Sequence, residues 1–352
     1  MHPLSSAAPR RRGIKAALAA ASLLAAGALL AACSSGSEAA STSSADSGEP
    51  FALTLQTSWT PNVQFGGSYI AETDGLYEAE GVDVTIAPGG PETSAIALVE
   101  SGQALIGQSS ADVIARANEE GADLVMLGAL FQKNPFAIMS LAEDPIPDPE
   151  AMLGKRIGLA GGDTVTIDAL IAANDLDASQ IAMVPVGYDI APLTSGEVDG
   201  VVVFYTDQPV ALQLAGFEGE TFLMADYGLD VYGQTYFTTR ENLETYRDEI
   251  KAFLRGEIAG WEAYLEDPDY AAQLTVDDYA KDVGLSLEAQ QIQASRQPEL
   301  IVSAATEANG LLWMSDEDIA KNLASLEILG IAATADMFDN SLLEEIYGES
   351  AS

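Results

Sequence analysis

From Phe51 onward the chain alternates short apolar or β-branched runs with segments of helical spacing, and few fold classes accommodate that rhythm. Strands are expected at 51–57, 82–86, 104–107, 124–130 and 137–141, with helices at 67–79, 93–101 and up to Asn118 between them. Ser109, with Asp112 three residues on, reads as a capping box opening that last helix. The run Asp144-Pro-Ile-Pro-Asp-Pro149 breaks the pattern, which restarts with strands at 156–160, 181–186, 200–204, 221–225 and 235–239. Helices are expected at 165–173, between 186 and 200, and at 208–215, and beyond Arg240 the chain turns mostly helical. Such alternation predicts an α/β protein with parallel sheets and helices on both faces, arranged as two lobes, a hinge and a helical tail. Residues 51–139 and 240–352 are assigned to the first lobe and 140–239 to the second; no internal sequence repeat is visible. Ligands of such sheets sit at the carboxyl ends of the strands, and two facing lobes close by hinge motion.

The N-terminus is of another kind. Arg10, Arg11, Arg12 and Lys15 form a basic head, followed by an apolar, alanine-rich run over 16–32 that ends in Leu30-Ala31-Ala32-Cys33. This is the layout of a secretory signal, residues 1–32, and its ending resembles a bacterial lipobox whose cysteine is lipidated. A transmembrane anchor is the alternative, but an apolar run of only 17 residues, rich in Ala and Gly, is marginal for spanning a bilayer. Arg11-Arg12-Gly13-Ile14-Lys15 partly resembles a twin-arginine export signal. Residues 33–50, mostly Ser, Gly, Ala and acid, read as a flexible tether.

Charge and residue usage then remove whole classes of function. Residues 1–32 hold four of the 15 Lys+Arg and none of the 54 Asp+Glu, so the mature chain carries 11 against 54 and a net charge of about −43. A surface this acidic repels phosphate backbones, which argues against nucleic acid, and it favours solubility in salty surroundings, as in a halophilic source. Membrane attachment would come through acyl chains on Cys33, more than one being needed for stable anchoring. The only histidine is His2 and the only cysteine Cys33, both outside a mature folded domain. Imidazole catalysis, a Ser-His-Asp triad, disulfides and Cys- or His-based metal sites are thereby excluded. Carboxylates could still do acid/base chemistry, but no paired-carboxylate motif stands out, and no catalytic residue, metal or cofactor is expected.

Ser58-Trp59-Thr60-Pro61-Asn62-Val63-Gln64-Phe65-Gly66-Gly67 follows the first strand and leads into a helix. Trp59 and Phe65 offer flat faces for stacking a planar ring, and Asn62 and Gln64 offer donors and acceptors for its edge. Equally, Trp59 could anchor the core and Asn62 cap the helix. Further candidates at strand ends are Ser109 and Ser110, the turn Gly161, Gly162 and Thr164 before a helix, Tyr188 and Asp189, and Tyr205 with Asp207. The turn's free N–H groups could meet a ligand oxygen. The serines and aspartates have capping as their alternative role, and either aspartate could accept from a ring amine. Trp261, on an amphipathic helix, is read as core.

The motif W-T-P-N followed by G-x-Y-x-A-x-x-x-G-L-Y-x-x-E-G-V-D-V resembles the thiamine-pyrimidine group of solute-binding proteins, the SsuA/THI5-like family. Supporting matches at 97–104, 153–158, 186–189, 192–199, 207–209, 252–255 and 260–261 extend it over nearly all of 53–347. The resemblance implies a type II periplasmic-binding fold in a monomer that captures a solute for an ABC permease and its ATPase. It also implies a planar heterocyclic ligand: an aminopyrimidine thiamine precursor, with riboflavin or a sulfonate or nitrate as alternatives. Phe65 stands where the family's transporter motif commonly has histidine, and P-N-V-Q-F is closer to riboflavin-type or unassigned branches of the family. The family also contains a pyrimidine synthase that consumes its own histidine, which a mature chain without histidine could not supply. A sulfonate site would favour a cationic pocket, yet Lys155 and Arg156 fall at a strand start, away from the expected cleft.

Overall fold

The computed structural model describes residues 49–160 and 164–350. The signal, most of the tether, Cys33, and the candidate residues Gly161 and Gly162 lie outside the described residues.

Among the described residues ten strands form two sheets. The first contains β1 (Phe51–Gln56), β2 (Val82–Ala87), β3 (Ile106–Ser109), β4 (Leu124–Ala129) and β10 (Thr235–Thr239), in the order β2-β1-β3-β10-β4. The second contains β5 (Phe136–Leu141), β6 (Arg156–Ala160), β7 (Ala182–Val186), β8 (Gly200–Phe204) and β9 (Gly219–Leu223), in the order β7-β6-β8-β5-β9. The orders correspond: in each sheet three parallel strands come first, then one strand that the chain brings in as it crosses from the other sheet.

Those crossing strands correct the expectation of parallel sheets. β10 runs antiparallel to β3 and β4, and β5 antiparallel to β8 and β9. Each enters at the end where its parallel neighbours finish, so it must run back against them. The sheets also place the crossings differently from the sequence boundaries at 140 and 240, because β5 pairs wholly in the second sheet and β10 wholly in the first. The crossing segments touch: the Gly233 amide donates to the Phe131 carbonyl, and the Leu130 amide to that of Gln234. A Cβ at Gly233 would lie 2.9 Å from both Phe131 Cβ and Pro135 Cδ, so glycine permits the approach.

β4 is buried along its whole length. It reads as a continuous apolar run rather than an alternating one because both of its faces are covered. Its outer edge is covered as well, since the Ala129 amide donates to Leu312 and the Met126 carbonyl accepts from Asp339. In the first lobe the long helix Arg247–Glu266 packs Phe253, Trp261 and Tyr264 against the helix Gly66–Thr73 and the sheet. The single helix expected over 67–79 is broken at Gly75, whose φ of 72° ends one helix and opens Leu76–Ala79. Smaller apolar clusters around Ile138, Ile157 and Leu170, and around Ala137, Met139 and Val203, hold the second lobe. Among the described residues no helix is long and apolar enough to cross a membrane.

Candidate functional site

The carboxyl ends of β1, β3, β6, β7 and β8 surround a cavity of about 740 Å³ between the lobes. The first lobe contributes Trp59, Asn62, Gln64, Ser109 and Ser110; the second contributes Leu159, Thr166, Tyr188, Asp189 and Asp207. Gln234 comes from a crossing segment, and Gln290 and Gln293 from the helix Leu287–Arg296.

Trp59 is held by its loop rather than by the core. The Gly89 amide donates to the Trp59 carbonyl at 3.0 Å and lies at the same distance from Thr57 Oγ1. A Cβ at Gly89 would fall 2.3 Å from the Thr57 carbonyl oxygen, so only glycine lets this loop close. The indole is 37% exposed and meets Tyr188, 62% exposed, across the cleft with ring centroids 5.9 Å apart and a 55° tilt. These two rings from opposite lobes form the aromatic mouth of the site.

The capping alternatives separate the polar candidates. Asn62 Oδ1 accepts from the Gln64 amide at 2.7 Å and its Nδ2 donates to the Thr60 carbonyl at 3.1 Å, so its side chain is engaged in the turn. Asp189 Oδ1 accepts from the Ala191 amide at 2.8 Å, engaged in the turn before the helix whose N-cap position is Ile190. Ser110 stands at the N-cap of Ala111–Glu119 without a side-chain capping bond, and the capping box expected from Ser109 and Asp112 does not form. Asp207 occupies the N-cap position of Gln208–Leu214, yet its carboxylate makes no cap bond.

Asp207 is bound instead across the lobes. Gln293 Nε2 donates to its Oδ1 and Gln208 Nε2 to its Oδ2, each at 2.9 Å. Gln293 is itself set by Gln290, whose Nε2 donates to Gln293 Oε1 at 3.1 Å and whose Oε1 accepts from the Val63 amide at 2.7 Å. Backbone N–H, two amides and a carboxylate thus form one relay with every donor oriented toward Asp207. Asp207 is exposed at the cleft, with protein packed around part of its carboxylate. That desolvation raises its pKa above the ordinary carboxylate value, opposed by the Gln293 bond.

Three sequence candidates fall outside the cavity. Phe65 is fully buried, its ring edge-on to Tyr69, because the 3₁₀ turn Val63–Phe65 directs it inward. Tyr205 turns away and donates to Glu299 Oε2 at 2.7 Å; burial and that carboxylate push its phenol up to about 12. Thr164 precedes its helix without a cap bond, and Thr166 and Ile167 line the wall instead. Trp261 is core, as expected.

Sequence reasoning missed Phe136, Gln234, Gln290 and Gln293. The glutamines carry no local signal, since their helix and crossing segment reach the cleft only through the tertiary fold. Three aspartates, 112, 189 and 207, line the cavity, and no lysine or arginine does among the described residues. Arg156 is bound to Asp199 at 2.6 Å and Lys155 to Asp144, at the opposite end of β6 from the cleft.

Two α/β lobes joined by two crossings, with a ligand-sized cleft at the strand ends, constitute the periplasmic-binding-protein fold. The aliphatic sulphonate binding protein SsuA of Escherichia coli shares it, with a TM-score of 0.64 at 16% identity over 85% of this chain and 100% of that one. Residues 62–271 match the NMT1/THI5-like family model, and the chain belongs to that family. The formylaminopyrimidine-binding protein of Halalkalibacterium halodurans is 27% identical, over 65% of this chain and 72% of its own. The riboflavin-binding protein RibY of Chloroflexus aurantiacus is 26% identical, over 76% and 80%. A relative in Schizosaccharomyces pombe, 27% identical over 61% and 66%, is a 4-amino-5-hydroxymethyl-2-methylpyrimidine phosphate synthase.

Proposed function

We propose that this chain is the solute-binding component of an ABC importer. It works as a monomer outside the cytoplasm, anchored through lipid on Cys33, and captures a planar nitrogen heterocycle, first an aminopyrimidine thiamine precursor. The observation that carries this reading is the pairing of Trp59 and Tyr188 from opposite lobes over a cavity lined with amides and carboxylates. Flat aromatic faces bind a ring, polar edges fix its orientation, and contacts from both lobes favour closure on it. Family membership and the pyrimidine- and riboflavin-binding relatives support it. Riboflavin is the second reading, because about 740 Å³ leaves more room than a single six-membered ring fills.

No chemistry on the ligand is required. A synthase that consumes its own histidine would need one in the folded domain, and the chain's only histidine is His2.

The test is a thermal-shift screen of the full chain at high salt against aminopyrimidine thiamine precursors, thiamine, riboflavin, taurine and alkanesulfonates. Ligand at 100 times its Kd adds about 2.7 kcal/mol to stability, a readable shift. A shift with a pyrimidine is expected, and a shift with riboflavin alone promotes the second reading. A shift with sulfonates only overturns the heterocycle assignment. Cys33→Ala is expected to move the protein from the membrane to the soluble fraction; unchanged membrane retention contradicts the lipid anchor.

A further inference from the structure

Resting on the reading of the cleft as a heterocycle site, we infer that it selects ligands presenting N–H donors without negative charge, and that Asp207, positioned by Gln293, is the selecting group. Phosphorylated or sulfonated forms of the same ring are rejected.

Two acceptors belong to side chains that line the cavity, one of them an atom with almost no exposed surface. One is the Asp207 carboxylate, on which the relay from Val63 through Gln290 and Gln293 ends. Amides that polarise one another along such a chain hold the carboxylate in one orientation and favour its ionised form. Its two bonded oxygens keep further acceptor capacity, since an ionised carboxylate offers about four lone-pair sites. The other acceptor is Gln234. This cavity-lining side chain is 4% exposed, and its Nε2 donates to the Gln64 carbonyl at 3.2 Å. A carbonyl partner fixes which end of the amide is nitrogen, so Oε1 is an acceptor, and it has no hydrogen-bond partner. A buried acceptor without a partner costs free energy until a donor reaches it. Both acceptors call for ring N–H or amino groups.

Asp112, Asp189 and Asp207 disfavour an anion in the same space. An entering phosphate or sulfonate would meet like charge, and no lysine or arginine among the described lining residues offsets it. Gln293 comes from the first lobe and Asp207 from the second, so the bond that orients the selecting group exists only while the lobes are together. Selection and closure therefore share one contact.

The experiment is calorimetric titration of the full chain with two matched pairs: riboflavin and its 5′-phosphate, and 4-amino-5-hydroxymethyl-2-methylpyrimidine and its phosphate. In whichever pair binds, the unphosphorylated member is expected to bind at least about tenfold more tightly. Asp207→Asn is expected to weaken that member and shrink the ratio. Gln293→Leu is expected to shrink the ratio too, whereas a merely structural role would lower the affinity for both members equally and leave the ratio unchanged. Equal binding within a pair, or tighter binding of the phosphate, overturns the inference while leaving the heterocycle reading intact. An unchanged ratio in Asp207→Asn overturns the assignment to that residue. Absence of binding by all four compounds overturns the heterocycle reading and this inference with it.

Discussion

Two carboxylates, one in the core of the first lobe and one in the cleft, are bound by neutral donors, yet they serve different ends. Glu257 is fully buried and takes bonds from Ser68 Oγ at 2.5 Å, Trp261 Nε1 at 2.9 Å and the hydroxyls of Tyr77 and Tyr236. Those donors come from three helices and β10, so this acid ties four elements together and has no face left for solvent. Asp207 takes two amide bonds and turns its remaining capacity toward a cavity. Burial pushes both carboxyls up, opposed at Glu257 by the bonds of Ser68, Tyr236, Tyr77 and Trp261, and at Asp207 by that of Gln293. A saturated buried acid organises the fold, whereas an undersaturated one at a cleft is available to a ligand.

The sharpest way to break this contrast is Glu257→Ala. It strands the buried hydroxyls of Ser68, Tyr77 and Tyr236 and leaves a cavity, and roughly 3–5 kcal/mol of unfolding free energy is expected to be lost, measurable by denaturant titration. A loss below about 0.5 kcal/mol would mean that the buried acid organises nothing. Phe65→Ala should cost about 3 kcal/mol by the same assay, because the ring fills the core. An intact fold with lost ligand affinity would return Phe65 to the site.

Glu257→Gln is the milder form, with an expected cost of about 1–3 kcal/mol. Because burial raises the Glu257 pKa, the native state holds more protons than the unfolded state between the ordinary carboxylate pKa and the raised one. The stability contributed by the wild-type acid is therefore fully present below the ordinary value and is lost as pH rises through the raised one. Denaturant midpoints of wild type and variant across this window should converge with rising pH, if the variant starts lower; divergence contradicts the assignment.

How much of this was legible in the sequence follows the range of the interactions. All ten strands can be read, because β-branched and apolar runs such as 82–86 and 200–204 announce themselves locally. Strand direction cannot be read locally, since β5 and β10 are antiparallel only because the chain crosses between lobes before each. Trp59, Tyr188 and Asp207 could be found because they sit directly after strands. Gln290 and Gln293 could not, because their helix is remote in sequence from Val63 and Asp207, the residues it meets at the cleft. Phe65 was misplaced because a stacking ring and a core ring look alike until the turn's direction is known.

Trp59→Ala carries the smallest expected effect on the fold. Loss of the exposed indole should leave stability within about 0.5 kcal/mol of wild type, while ligand affinity falls by about 1 kcal/mol, roughly fivefold. Fluorescence titration checks this, and unchanged affinity would remove the indole from the binding surface.

The most direct test of the contrast is the thermal melt of Asp207→Asn with and without the heterocycle that stabilises the wild type. The free variant is expected to melt at the wild-type temperature, with the ligand-induced shift largely lost. A full ligand-induced shift, or a free protein destabilised as severely as Glu257→Ala, would contradict that contrast.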